Sequence, residues 1–184
     1  MAPSETLVPS RGWSEPELFA DVPFDQACAA YRAALLLYFQ KQVLSGRLTY
    51  QRLPIRFRIE PQEDGLPQAL YHLATQADQP ASGSKTPENQ RVYQEGRCCR
   101  VSWIVPMLRG ADRGYMRVWS KEHRGQRGIS TRVHICDPLF TQLIILEVRA
   151  DCFQFVTTFP LKRGSRYAKK MQKDYEKAKA AAPR

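Results

Sequence analysis

The chain has 184 residues, 43% of them hydrophobic, enough to bury a core, and no apolar run approaches the roughly 20 residues that cross a bilayer as a helix. Its net charge of +10 belongs to the second half: residues 1–90 carry 8 Lys and Arg against 10 Asp and Glu (−2), and residues 91–184 carry 20 against 8 (+12). So lopsided a field argues against an evenly solvated surface and points to a polyanionic partner, nucleic acid ahead of a membrane or an acidic protein.

Residues 1–20 hold Pro3, Pro9 and Pro16 with no sustained periodicity and are expected to form an irregular leader ahead of a single domain over 21–184. From Asp21 the pattern becomes helical, with Phe24, Cys28, Tyr31, Leu35 and Tyr38 on one face and Gly46 at the end. Ile55, Phe57 and Ile59 then alternate with Arg56 and Arg58, the period of a half-buried strand with two guanidinium groups on its open side. Leu66–Ala74 predicts a short helix, in which His72 is expected to be a structural or surface histidine and not a catalytic one. The polar stretch 75–86 predicts a mobile loop. Thr86 and Pro87 predict a new helix start, running to Val105, with Pro106 ending or kinking it.

Beyond Pro106 the period is two. Tyr115–Trp119, Ser130–Cys136, Gln142–Arg149 and Cys152–Phe159 predict a four-stranded antiparallel meander, with the doubly apolar Leu143–Leu146 segment at its centre. Arg166–Ala180 predicts a closing basic helix with Tyr167, Met171 and Tyr175 inward. The fold class is therefore α+β: N-terminal helices packed on one face of a four-stranded antiparallel sheet, with the basic C-terminal helix closing it. The basic part of the domain spans about 86–180.

Charged and titratable groups concentrate between Arg117 and His134. Cleaving RNA without a metal requires a base for the ribose 2′-hydroxyl, cations for the pentacoordinate phosphate and an acid for the leaving 5′-oxygen. His123 and His134 are the candidate proton-transfer groups, since a histidine titrates near neutral pH, and Arg117, Lys121 and Arg132 are the candidate cations. Arg132 and His134 share one face of their strand, and Thr157 offers a hydroxyl near the end of the last strand. Arg56, Arg58, Arg97, Arg100, Arg124, Arg127, Lys162 and Arg163 are candidate nucleic-acid contacts.

Phosphate-loop, dinucleotide, zincin and nucleophile-elbow motifs are all missing from the sequence, and the carboxylates of the basic half, Glu122, Asp137, Glu147 and Asp151, are scattered. No metal and no cofactor is expected. The five cysteines, Cys28, Cys98, Cys99, Cys136 and Cys152, contain no C-x-x-C pair, which fits a reduced chain. With no secretory signal at the amino terminus, a cytoplasmic protein is the expectation.

The helix Arg97-Cys98-Cys99-Arg100-Val101-Ser102-Trp103-Ile104, the basic strand with Arg117, and the ending Phe155-Val156-Thr157-Thr158-Phe159-Pro160 together resemble the phage-associated nuclease domains related to barnase, EndoU, the tRNase colicins and RelE. The resemblance covers about residues 90–175. It implies a metal-independent ribonuclease, toxin-like, acting on RNA such as tRNA and held by an acidic immunity or antitoxin protein. Thr157 then matches the family's strand-end hydroxyl and Arg117 its first-strand cation, while Arg100 and Trp103 belong to the helix motif. Thr158 and Phe159 depart from the family's Ala and Tyr. A non-catalytic module that grips single strands with Trp103, Tyr115 and Trp119 is the alternative, and a phage-related interaction protein with a basic docking face is a third reading.

Overall fold

A computed structural model of the chain describes residues 33, 35–45, 47–60, 66–77, 91–98, 100–125 and 128–181. The expected leader, the start of the first helix, the Thr86–Pro87 helix start, residues 78–86 of the expected loop and Arg127 lie outside them. Residues 35–38 are helical and continue into a π-helical turn, Phe39–Leu44. Leu35, Phe39 and Val43, four residues apart, are buried by it.

The elements that follow are β1 (Thr49–Tyr50), β2 (Leu53–Arg56), α1 (Gln68–Ala74), β3 (Thr75–Ala77), β4 (Arg91–Tyr93), α2 (Glu95–Cys98), a 3-10 turn (Val101–Trp103), α3 (Ile104–Asp112), β5 (Arg117–Gly125), β6 (Gly128–Cys136), β7 (Gln142–Val148), β8 (Phe153–Pro160) and α4 (Arg166–Ala181). The α+β class holds, and the β5–β8 meander is antiparallel throughout. The sheet, however, has six strands in the order β1-β2-β8-β7-β6-β5, not four. β2 runs parallel to β8 through Ile55↔Phe153 and Arg56↔Gln154, so the sheet is mixed. Nothing local in residues 53–56 specifies a partner so far along the chain.

The expected strand over 55–59 stops pairing at Arg56. Beyond it the backbone serves another purpose: the carbonyls of Arg58 and Glu60 accept the Ala69 and Gln68 amides at 2.8 Å each, satisfying donors that the first turn of α1 leaves open. Thr75–Ala77, expected as loop, pairs with Arg91–Tyr93 in a separate two-stranded sheet. That pairing takes Arg91–Tyr93 out of the helix expected over 86–105; among the described residues of that span α2, the 3-10 turn and the first two residues of α3 are helical. Pro106 sits in the first turn of α3 instead of ending a helix, because a first-turn residue has no intrahelical acceptor for the N–H that proline lacks.

Helices cover both faces of the sheet, not one. Alternation along β6 and β7 sends Val133, Ile135, Ile144 and Leu146 down into a core shared with Phe39, Leu70, Leu73, Ile104, Met107 and Leu108. The opposite set, Trp119, Leu143 and Ile145, meets Ala168 and Met171 of α4 above. Between β6 and β7, Asp137 organises the turn: its carboxylate accepts the amides of Thr141 and Gln142, both at 2.6 Å, and of Leu139 at 3.0 Å, and the Thr141 hydroxyl at 3.1 Å. Cys98, Cys136 and Cys152 are buried, and burial pushes the Cys136 thiol far up, which suits an inert core group.

Candidate functional site

The register aligns Trp119, His134, Ile145 and Thr157 in one row across β5 to β8, and Lys121, Arg132 and Glu147 in the next. By alternation Arg117, Lys121, His123, Arg132, His134 and Thr157 all belong to the upper face, the one that α4 partly covers. A register shift between Ile145 and Leu146 leaves Val156 without a partner on β7 and restores this face for Thr157.

α4 crosses the upper face from β8 to β5: Tyr167 meets Phe159 at 5.7 Å, and Tyr175 meets Trp119 at 5.9 Å. Asp174 holds Lys121 at 2.9 Å. His134 lies beneath this arrangement, 8% exposed and stacked on Trp119 at 5.1 Å, with Nδ1 finding no hydrogen-bond partner among the described residues. Burial lowers its pKa from 6.5, with the charges of Lys121 and Arg132 adding to the effect and the Arg132 backbone and Asp174 opposing it. It is therefore held neutral and away from solvent at pH 7.

His123, paired with Ser130, is four residues along β6 from His134, about 13 Å at strand rise. The loop expected around it is ladder as far as Gly125↔Gly128. The two histidines are thus on one face but not in one site. Arg117 is occupied structurally: its Nε donates to the Pro138 carbonyl at 3.0 Å and its guanidinium lies 5.1 Å from the Phe140 ring and 5.3 Å from that of Tyr175. Thr157 is half-buried, and its neighbour Thr158 is taken up in the core, accepting from Gln142 Nε2 at 2.6 Å and donating to the Leu143 carbonyl at 2.7 Å.

What α4 leaves open is a cleft of about 150 Å³ between α1 and the irregular part of β8. Arg132, Glu147, Arg149, Gln154 and Val156 line it from the sheet, Gln68 and His72 from α1, and Arg58 from the segment after β2. Among the described residues of the lining Glu147 is the only carboxylate. It pairs with the Arg149 guanidinium, lies 3.7 Å from Arg132 Nε, and accepts the Ser130 hydroxyl at 3.3 Å. Arg132 Nε is buried on the side of Glu147 and makes no hydrogen bond to a described residue.

The candidate nucleic-acid contacts divide accordingly. Arg58 joins the cleft, whereas Arg56 pairs with Asp151 at 2.8 Å on the surface. Arg97 donates to the carbonyls of His72 at 3.3 Å and Thr75 at 3.1 Å. Arg100 donates to that of Thr141 at 3.3 Å and lies 4.4 Å over Trp103, so both act within the fold. Arg124, Lys162 and Arg163 are exposed. The sequence does not single out Arg149 and Gln154, and the expectations that His72 has no catalytic part and that Glu147 is one of four scattered carboxylates do not foresee their meeting here. The available signal was the shared parity of Arg132 and Glu147 on strands predicted to be neighbours.

Among the described residues no three His, Cys, Asp or Glu side chains gather as a metal site, and no helix is long and apolar enough to cross a membrane. The chain matches no protein-family model, no curated protein and no solved structure.

Proposed function

We propose that this chain is a metal-independent endoribonuclease, toxin-like in character, whose reaction centre is the cleft between α1 and β8. The observation that carries the reading is the convergence of Arg58, Arg132 and Arg149 with one carboxylate, Glu147, and one histidine, His72, in a single opening of the basic half-sheet. Glu147 removes the proton of a ribose 2′-hydroxyl. The freed oxygen attacks the adjacent phosphorus, and the three guanidinium groups bind the charge that gathers on the non-bridging oxygens. His72, on the opposite wall, gives a proton to the departing 5′-oxygen, leaving a 2′,3′-cyclic phosphate and a 5′-hydroxyl. In this reading His134 supports Trp119 and α4 and moves no proton. RNA such as tRNA is the substrate, and an acidic immunity or antitoxin protein is the partner suited to mask the same face.

Incubation with end-labelled tRNA in excess EDTA tests this. Wild type releases discrete fragments ending in cyclic phosphate, Glu147→Gln and His72→Asn lose at least 10²-fold in rate, on the order general acid–base catalysis contributes, and His134→Gln stays close to wild type. Intact RNA after long incubation with wild type removes the catalytic reading. A non-catalytic RNA-binding module then stands, and one observation already favours it: Glu147 is bracketed by two arginines, which compete for the oxygen that would take the proton.

A further inference from the structure

We infer that the outer face of α4 is a second RNA contact, a phosphate-tracking ridge that holds the strand running out of the cleft. The inference extends the reading above by naming where the remainder of the RNA lies. Arg166, Lys170, Lys173 and Lys177 stand at i, i+4, i+7 and i+11, and all four are exposed. At 100° per residue they fall within about 60° of one another, opposite the stripe of Ala168, Met171 and Tyr175 that packs on the sheet. None forms an ion pair with a described residue. The acidic groups on the helix do not interrupt them: Asp174 turns inward to Lys121, and Glu176 lies off the stripe.

The ridge has the length and position of a guide. Eleven residues of helix span about 16 Å, with cations every turn, a repeat that suits successive phosphates of a strand. Lys162 and Arg163, exposed on the segment from β8, extend it at the N-terminal end of α4. α4 lies on the same sheet face as the Arg132–Glu147 row, so a strand bound at the cleft passes beside it.

An RNA backbone fits this ridge better than an anionic membrane does. A helix that lies in a membrane surface needs an apolar face to sink among the headgroups, and here that face is spent on Trp119, Leu143 and Ile145.

The test replaces the four cations by glutamine (Arg166→Gln, Lys170→Gln, Lys173→Gln, Lys177→Gln), which keeps helix propensity close to that of the native residues. Binding is measured by anisotropy on a 20-nucleotide 2′-O-methyl strand, which lacks the attacking hydroxyl, between about 50 and 200 mM salt. The plot of log affinity against log salt flattens by 2 to 3, near ~0.7 per lost contact, with an affinity loss on the order of 10²-fold at low salt. Lys41→Gln/Arg52→Gln/Arg113→Gln, which removes three exposed cations elsewhere, leaves the slope within about 0.5 of wild type. An unchanged slope in the ridge variant, an equal loss per charge in the control, or wild-type preference for phosphatidylserine vesicles over the strand overturns the inference. Cleavage of a dinucleotide, too short to reach α4, is retained by the ridge variant. If wild type leaves both the dinucleotide and tRNA intact, the catalytic reading falls and the slopes alone decide the ridge.

Discussion

Replacing Asp137 by alanine removes the acceptor on which the β6–β7 turn is built. The Gln142 amide, bonded at 2.6 Å and fully buried, loses its partner with no access to water. The amides of Thr141 and Leu139 and the Thr141 hydroxyl, bonded at 2.6, 3.0 and 3.1 Å, are partly exposed and recover some hydration. One orphaned buried donor costs about 2 kcal/mol and the partly exposed charge-assisted bonds about 1 kcal/mol each for the stronger two, so the expected loss is roughly 4 kcal/mol. At about 2–4 °C per kcal/mol for a chain of this length, Tm falls by roughly 10 °C. Asp137→Asn, which keeps one oxygen, should lose about half as much. Urea unfolding followed by circular dichroism measures both. A loss under about 1 kcal/mol for Asp137→Ala would refute the assignment of the turn to this carboxylate. The consequence reaches the cleft, because this turn holds the register that sets Arg132 opposite Glu147, and a one-residue slip would send one of them to the other face.

His134 makes stability depend on pH. Its folded pKa lies below 6.5, so the unfolded chain takes the proton first; this stability is fully present above pH 6.5 and is lost as pH falls from 6.5 through the folded value. His134→Phe should flatten Tm over that acidic window, and an unchanged pH profile would count against burial as the cause. In the β1–β2 turn, Gln51 and Arg52 adopt φ of 49° and 67°, a left-handed pair that favours Asn-Gly. Gln51→Asn/Arg52→Gly should therefore stabilise by about 1 kcal/mol in urea, and destabilisation would argue against strain there. Met171→Ala, emptying a site 4% exposed beneath α4, should cost about 2–4 kcal/mol and shift Trp119 fluorescence to the red. Retained emission would show that α4 is anchored elsewhere.

Alternation and helical period made several parts of the structure legible. Val133 and Ile135 against Arg132 and His134 established which side of β6 is core, and the unbroken Leu143–Leu146 run marked a strand covered on both faces. The site was harder to read. His123 and His134 attract attention as residue types, yet whether they meet depends on hairpin register and on where α4 comes to rest. His72 and Glu147, separated by 75 positions in the chain, line one cleft only because α1 lies along β8.

The sequence by itself determined the α+β class, the antiparallel meander, the amphipathic closing helix and the concentration of positive charge in the second half, because each follows from patterns among near neighbours. The tertiary structure decided the parallel pairing of β2 with β8, the burial of His134 under α4 and the gathering of Arg58, His72, Arg132 and Glu147. Those outcomes depend on contacts between distant segments, whose free energy comes from excluding water between packed surfaces and leaves no period in the chain.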